Sequence, residues 1–465
     1  MIQHKRDYFD SINKDKISEL TKQAEEVLFS RKEKHFRVWR KDADKPHEPM
    51  RAIKKGNVMV PLEHYSTNMV GGYLGGKSPV YSFSKGQEDF ESTISDIRIY
   101  NDDATHFATI NMDYLVYGAA YEYIYESIDN KIEYKRVNPL NAVMVYDYSL
   151  DPQRIALVRV LMEDNDSLLL EITTKNYRRR YNDKGDLMPF WDYQDGQERE
   201  ITEKQLFWGD LPAISYEHPK DISLSEPGWE IVNMIENMLT NEKNMTQYND
   251  NAKLIIKGHT TVHQAEMVDT NGNTVVNPEW TAEIQRLYQA PALHFPVEGD
   301  ASWLIKNVDY GGVLNTTTDL WDKYFILVSA PNVADDKFAG NVSGIAMKYK
   351  MYALDQLIVT FDRITRRGHH QRWKLITDRL NELGNNFNIL DMHIDFAKNA
   401  PMSSADDINE AVQLYRNNLI SQNSAIAHAN IGLDPTEEQE RIRIEVLETM
   451  QMQMSESERD ASDAN

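Results

Sequence analysis

Apolar residues recur at three- and four-residue steps among charges near the start of the chain: Ile12, Ile17, Leu20, Ala24, Val27 and Leu28 share one helical face. After a polar, proline-bearing loop from Asp42 to Pro49, the spacing of Val58, Leu62, Tyr65 and Met69 predicts a helix with Pro61 in its first turn. Another helix is predicted between Asp103 and Gly118. The chemistry then changes. Over 121–215, Tyr121-Glu-Tyr-Ile-Tyr125, Ala142-Val-Met-Val-Tyr146, Ile155–Leu161 and Leu168–Ile172 are β-branched, aromatic and turn-bounded, which predicts a sheet. The clearest helix opens at Ser225-Glu-Pro-Gly and runs to about Lys253, with Ile231, Ile235, Met238, Leu239 and Met245 set among Asn and Glu. A β-rich stretch follows. In it Asn271-Gly272 suits a tight primed turn, and Pro291 and Pro296 bracket a strand-like Ala-Leu-His-Phe. A second helix is predicted from about Asn315 to Val328, stopped at Ala330-Pro331 because the residue before proline disfavours helix. Beyond it come a loop at 331–342, a long helix from Ser343 to about Leu383 and a strand over Asn388–Phe396. Two helices over Asp406–Leu419 and Pro435–Met450 precede a Ser/Glu/Asp end that reads as disordered.

At roughly 100–200 residues per domain, 465 residues allow two to four domains, and 41% apolar with 27% charged residues exclude wholesale disorder. The 51 Lys and Arg against 73 Asp and Glu leave −22, which argues against a sequence-independent grip on nucleic acid. It leaves room for a protein that surrounds DNA without sticking to it. Charge is uneven. Arg363, Arg366, Arg367, His369, His370, Arg372, Lys374 and Arg379 crowd one segment, while the tail from Asp434 is dominated by acids. Such a basic strip suits pairing with carboxylates of another copy. Absence of cysteine removes disulfides, Cys-zinc sites and thiol catalysis. The opening Met1-Ile-Gln-His-Lys-Arg-Asp offers no signal-peptide core, and runs such as Phe325–Val328 fall far short of the ~20 residues that span a bilayer.

Gly71-Gly-Tyr-Leu-Gly-Gly-Lys77-Ser78 matches the Walker A pattern, and Val143–Asp147 resembles the strand and Asp that hold its metal. A P-loop NTPase is therefore the alternative reading. Order argues against it: a phosphate loop follows a strand and opens a helix, whereas here a helical pattern precedes the glycines and an extended Pro79–Ser84 follows. His259 and His263 share a strand side without further ligands at motif spacing, and Asp102-Asp103, Asp335-Asp336 and Asp406-Asp407 sit in loops or at helix starts, where Asp caps. No residue set predicts catalysis, a metal or a cofactor.

The plan of helix, β-rich insertion, second helix, loop and long helix is similar to the portal proteins of tailed double-stranded DNA bacteriophages, of the type in long-tailed phages of Gram-positive hosts. Asn57–Ser82, Asp336–Lys350, Asn418-Leu-Ile-Ser421 and Gly432–Ile442 carry the resemblance, with Ser78 between Lys77 and Pro79 as a departure. The resemblance implies an α+β, portal-type subunit. Its N-terminal wing would be 1–225, with stem helices at 226–258 and 309–330 and a clip at 259–308. A tunnel loop at 331–342 would precede a long tunnel-facing helix and wing strand at 343–402, a helical crown at 403–450 and a disordered acidic tail at 451–465. It further implies a ring of about twelve copies at one capsid vertex of the virion, assembled in the host cytoplasm. Double-stranded DNA would pass non-specifically through its channel. The terminase large subunit, the head–tail adaptor, and the major capsid and scaffolding proteins would be partners, with no membrane contact, no enzymatic activity and no cofactor. Asp335, Asp336, Lys337 and Asn341 would face DNA, and Arg363, Arg366, Arg367, Arg372 and Lys374 would form the inter-subunit basic strip.

Overall fold

The computed structural model describes residues 2–44, 57–162, 168–194, 197–250, 253–257, 263–270, 272–289, 300–304, 310–332, 344–396, 398–399, 404–429, 438 and 441–445. The chain divides into two compact units. One comprises Met1–Pro46, Glu63–Glu226 and Val328–Asn465, the other His47–Leu62 and Pro227–Leu327.

The first unit opens with β1 (Ile2–Gln3), α1 (Lys14–Trp39), α2 (Leu62–Gly75), β2 (Val80–Phe83), α3 (Glu88–Tyr100) and α4 (Asp103–Tyr117). Strands follow: β3 (Ala119–Glu126), β4 (Ile132–Val137), β5 (Ala142–Tyr146), β6 (Arg154–Met162), β7 (Leu168–Thr174), β8 (Tyr177–Asn182), β9 (Leu187–Met188), β10 (Phe190–Gln194), β11 (Gln197–Ile201), β12 (Glu203–Gln205) and β13 (Ala213–Glu217). A seven-stranded sheet has the order β1-β5-β6-β7-β8-β12, with β9 beside β8; β1 joins β5 in parallel and its other pairs are antiparallel. A three-stranded sheet has the order β13-β3-β4.

Strand periodicity arranges these layers. Along β5, Val143 and Val145 point to one face and pack with Ile17, Leu20, Ala24 and Leu28, the apolar stripe of α1. Ala142, Met144 and Tyr146 point to the other face and pack with Ala119, Tyr121, Leu211 and Ala213 of the small sheet and its approach. A strand buried on both sides reads as an unbroken apolar run, as β5 does. Helix α1 ends where Arg40 takes a left-handed conformation at φ 52°, its N–H bonded to the Phe36 carbonyl at 2.7 Å. The Arg40 guanidinium, itself buried, meets the buried Glu63 carboxylate of α2 at 2.9 Å.

The first unit resumes with α8 (Gly344–Glu382), β18 (Met392–Asp395), α9 (Ser404–Arg416) and α10 (Gln422–Ala429), following the elements of the second unit described below. Strand β18 pairs antiparallel with β2, joining segments about 310 residues apart. Helix α8 buries Met351, Leu354, Ile358, Phe361, Thr365, His369, Arg372, Ile376 and Leu380, at steps of three and four, and crosses β13. The crossing is close at Gly368, where an added Cβ would lie 2.1 Å from the ring of Tyr216, whose hydroxyl is fixed on Glu122. Gly368→Ala is therefore expected to destabilise by about 1–3 kcal/mol through overpacking, despite alanine's better helix propensity. A urea midpoint equal to or above wild type would contradict this.

The second unit contains α5 (Trp229–Asp250), β14 (Lys253–Lys257), β15 (Glu266–Val268), β16 (Thr274–Val276), α6 (Pro278–Gln289), β17 (Asp300–Leu304) and α7 (Tyr310–Leu327). Helices α5 and α7 pack together, and β14 pairs with β17. The extended segment before α2 bonds to α5 through Val58 N–H to Thr240 Oγ1 at 2.9 Å and Val60 N–H to Glu236 Oε1 at 3.0 Å. Three local readings change here. The first helix stops at Asp250, because Leu254-Ile-Ile256 takes strand pairing with β17 instead of extending a stem helix to 258. The β-rich insertion also carries helix α6, with Pro278 as its first residue. The hairpin pairs Val268 with Thr274 and turns through Gly272 at φ 82°, while Asp269 N–H donates to Asn273 O; its loop is longer than a two-residue turn. The strand predicted at 292–295 and most of the helix predicted at 435–450 lie outside the described residues. Among the described residues no helix is long and apolar enough to cross a membrane.

Candidate functional site

The most elaborate constellation is buried and lies where α8 meets α4, β2, β3 and β4. Arg372 is fully buried; its guanidinium lies 2.9 Å from Asp103 Oδ1, 3.3 Å from Glu122 Oε2 and 2.8 Å from His369 Nδ1. Each carboxylate has further donors. Glu122 Oε2 lies 2.7 Å from His106 Nε2, and its Oε1 accepts from Tyr216 Oη at 2.9 Å. Asp103 accepts from Tyr134 at 2.9 Å, from Tyr81 at 3.0 Å and from Arg98 at 3.3 Å. Burial alone would raise the Asp103 carboxyl, yet Arg372, His369, Tyr134 and Arg98 together hold it below the usual range. Burial likewise opposes ionisation of Glu122, but Arg372 and His106 bring it down to about 2. His369 moves the other way: burial first, and the adjacent guanidinium second, lower it to about 3. The cluster thus sets two ionised carboxylates and a neutral imidazole around one guanidinium. Closed to solvent, and bonded through both terminal nitrogens of Arg372, it ties the long helix to both flanking sheets.

The cations predicted as one strip separate into two groups. Arg363, Arg366, Arg367 and Lys374 are exposed on α8, whereas Arg372 faces inward. Arg372 offers nothing to a neighbouring subunit, because its charge is taken up by Asp103 and Glu122 of its own chain. On the outer face Arg363, Arg367, His370 and Lys374 follow steps of four, three and four, making one continuous stripe. Arg366 beside it pairs with Asp362 at 3.0 Å and lies 4.9 Å over the Phe396 ring; Arg367 reaches Asp151 at 3.5 Å. Asp335, Asp336, Lys337 and Asn341 lie outside the described residues.

The Walker-like segment has the wrong polarity for phosphate. Gly71–Gly75 form the last turns of α2, and strand β2 follows. Phosphate loops use the N–H end of a helix, whereas this segment sits at the carbonyl end with its partial negative charge. Those carbonyls are already engaged: Asn399 N–H donates to Tyr73 O at 2.9 Å and Asn399 Nδ2 to Gly72 O at 3.4 Å. Asp147, the imagined metal carboxylate, instead accepts from Ser149, from Gln153 N–H at 2.8 Å and from Arg6 at 2.6 Å, closing its own turn. Lys77→Ala is accordingly expected to leave titration with a fluorescent ATP analogue unchanged. Saturable binding that the substitution abolishes would revive the enzyme reading.

Of the paired histidines, His259 lies outside the described residues, and His263 faces Glu279 at 3.0 Å and Glu283 at 3.4 Å across α6. Among the described residues no group of three or more His, Asp or Glu is arranged to hold a metal ion. In the Asp102-Asp103 pair, Asp102 caps α4 by accepting from Thr105 N–H at 3.5 Å, but Asp103 is a buried ion-pair partner.

The described residues form an α+β body, interrupted in sequence by a helix–β–helix unit and resumed by a long helix with a cationic outer face. The family described as "Phage portal protein, SPP1 Gp6-like" matches residues 37–452, and the chain belongs to that family. No curated protein matches. Among solved structures it is similar to a chain of the "Neck of empty GTA particle computed with C6 symmetry", at 11% identity and a TM-score of 0.44, covering 79% of this chain and 90% of that one. It is also similar to a chain of the "Neck of native GTA particle computed with C12 symmetry", at 10% identity and 0.40, covering 80% and 90%.

Proposed function

We propose that the chain assembles into a ring, of about twelve copies, at one vertex of a phage capsid, and that double-stranded DNA passes through its channel during packaging and ejection. The observation that carries this reading is the family match over 37–452, spanning both compact units. In this reading the chain is a structural conduit with no chemistry of its own. Residues 1–225 and 343–402 form the wing, 226–258 and 309–330 the stem, 259–308 the clip and 403–450 the crown. The separate compactness of Pro227–Leu327 supports treating stem and clip as one module. The clip would meet the terminase motor and later the head–tail adaptor, and capsid and scaffolding proteins would surround the wing. The loop at 331–342, with Asp335, Asp336, Lys337 and Asn341, would touch DNA. An acidic chain suits a sliding contact, since affinity for duplex grows with each phosphate neutralised.

Within the ring, Arg363, Arg366, Arg367 and Lys374 would face carboxylates of the next copy, offsetting part of the repulsion among subunits that each carry −22. Negative-stain microscopy with light scattering tests the assembly: rings with a central hole and a mass near twelve or thirteen times 53.9 kDa are expected. A monomer at every concentration and salt tested would defeat the reading. Reversing the stripe with Arg363→Glu and Lys374→Glu is expected to shift rings toward smaller species while leaving the circular dichroism spectrum unchanged, because both side chains are exposed. Rings of undiminished stability would remove the stripe from the interface.

A further inference from the structure

A cleft of about 310 Å³ opens between the seven-stranded and the three-stranded sheet of the first unit, and its wall is cationic. The small sheet contributes the Lys135 ammonium from β4; the large sheet contributes Arg159 from β6 and Arg178 from β8. Glu171 is the single carboxylate in the lining, and Leu157 is an apolar part of it. Sheet register explains the grouping. Arg159 is paired with Glu171, and Leu157 with Thr173, which in turn is paired with Arg178, so these side chains share one face of the large sheet. On the small sheet Lys135 is paired with Tyr123, which also lines the cleft.

In a chain carrying −22, three cations (Lys135, Arg159 and Arg178) against one acid is a local excess of positive charge; the Arg136 guanidinium is turned to Asp113, on the face of β4 opposite Lys135. The other partners of the three stand outside the lining. Arg178 pairs with Asp192, and Lys135 lies 3.3 Å from Glu133. Glu171 is shared between Arg159 and Arg180, each at 2.8 Å. These pairs hold the cations in place without closing the space between them. Glu171, though buried, is held low by Arg178 and Arg159, so the one acid of the lining stays ionised beside them. Asn138 and Thr173 add neutral hydrogen-bonding groups to the wall.

We propose that this cleft binds a small phosphate-class oxyanion, which bridges Lys135 of the β13-β3-β4 sheet to Arg159 and Arg178 of the seven-stranded sheet. The volume suits a small anion with its waters. Guanidinium forks on one side and an ammonium on the other match an anion with acceptors pointing in several directions. Bound there, it staples the two sheets electrostatically and stiffens the body that carries the long helix.

The test uses the full chain in its native assembly, titrated with sodium phosphate against sodium chloride at matched ionic strength near neutral pH. Calorimetry and thermal unfolding are the two readouts. Phosphate is expected to bind saturably and raise the unfolding temperature where chloride does not. Arg178→Gln is expected to weaken binding by about tenfold or more, the loss of one charge-assisted contact. Lys135→Gln, whose side chain is 55% exposed and so dispensable for folding, is expected to weaken it as well. Lys22→Gln, exposed on α1, should leave it intact. A chloride response equal to that of phosphate, or phosphate binding unchanged in both cleft variants, overturns the proposal. So does a duplex oligonucleotide that binds through Lys135 and Arg178 while phosphate does not, since the ligand would then be nucleic acid.

Discussion

Replacing Arg372 by methionine is expected to lower the stability of the first unit by about 3–5 kcal/mol, the cost of stranding buried charge. Methionine fills a similar volume, so the loss is electrostatic. Asp103 and Glu122 are at most a few per cent exposed and would retain hydrogen-bond donors but no cation in the buried centre of the cluster. Arg98 lies at the edge, 3.3 Å from Asp103, and reaches only that carboxylate. Urea unfolding followed by tryptophan fluorescence reads the change, since Trp373 sits beside the site, its Nε1 3.2 Å from Tyr81 Oη. The control is the triple variant in which Asp103→Asn and Glu122→Gln accompany Arg372→Met. Removing all three charges should recover most of the loss, because the pairing mainly compensates the desolvation of its own members. Arg372→Lys should fall between, since a lysine ammonium does not present the planar fork that here spans two carboxylates and an imidazole. A loss below about 1 kcal/mol for Arg372→Met would mean that the cluster is wetter than its burial implies.

How far this arrangement was legible in the sequence depends on the range of the signal. Helix α8 was predicted at Ser343 to about Leu383 and is found at Gly344–Glu382, because its apolar positions repeat without interruption and Gly384 ends it at φ 109°. The strands at 142–146, 155–161 and 168–172 were legible for the same reason: side-chain pattern and backbone period agree locally. Strand β1 was not, being two residues paired in parallel to β5, some 140 residues away. Helix α7 begins at Tyr310, five residues before the predicted start, because Gly311-Gly312 reads as a breaker yet is tolerated in the first turn. The cluster itself was hidden by composition. A run of cations looks like one strip until burial separates Arg372 and His369, three residues apart on the inner face, from Arg363, Arg367, His370 and Lys374 on the outer. One local sign was present. Glu122 stands inside Tyr121-Glu-Tyr-Ile-Tyr125, and an acid in a strand buried on both faces requires a cation from elsewhere in the chain.

The same cluster should make stability fall with acid in two stages, and the order follows from the direction of each shift. The folded pKa of His369, about 3, lies below the ~6.5 of an unfolded imidazole. A depressed group adds stability that is fully present above the unfolded value and is lost as pH falls toward the folded one, so the first loss begins near pH 6.5. Its slope is about 1.4 kcal/mol per pH unit, one proton taken up on unfolding. The geometry gives the reason: His369 Nδ1 accepts from Arg372, and Phe107, Tyr216 and Phe396 surround the ring, so protonation would face a guanidinium inside an aromatic box. Asp103 and Glu122 face the ring as well and partly oppose the shift, while His106 reinforces it. The second stage starts near pH 4.5, where unfolded carboxylates begin to protonate while Glu122 stays ionised to about 2 and Asp103 is held low in the same direction. From there three protons are taken up instead of one, and the curve steepens. Asp113 works against it, because burial raises its carboxyl, but one opposing group does not cancel two. His35 and His218 are also lowered, chiefly by burial, and add to the first stage, so the assignment rests on a difference. Urea midpoints measured from neutrality down to about pH 4 should drop for wild type, and His369→Gln, which keeps an acceptor for Arg372 but does not titrate, should flatten the interval between pH 6.5 and 4.5 by on the order of 2–3 kcal/mol. Parallel curves for the two proteins in that interval would show that His369 is already protonated in the native state. Arg372 would then have to be held by Asp103 and Glu122 against a neighbouring imidazolium.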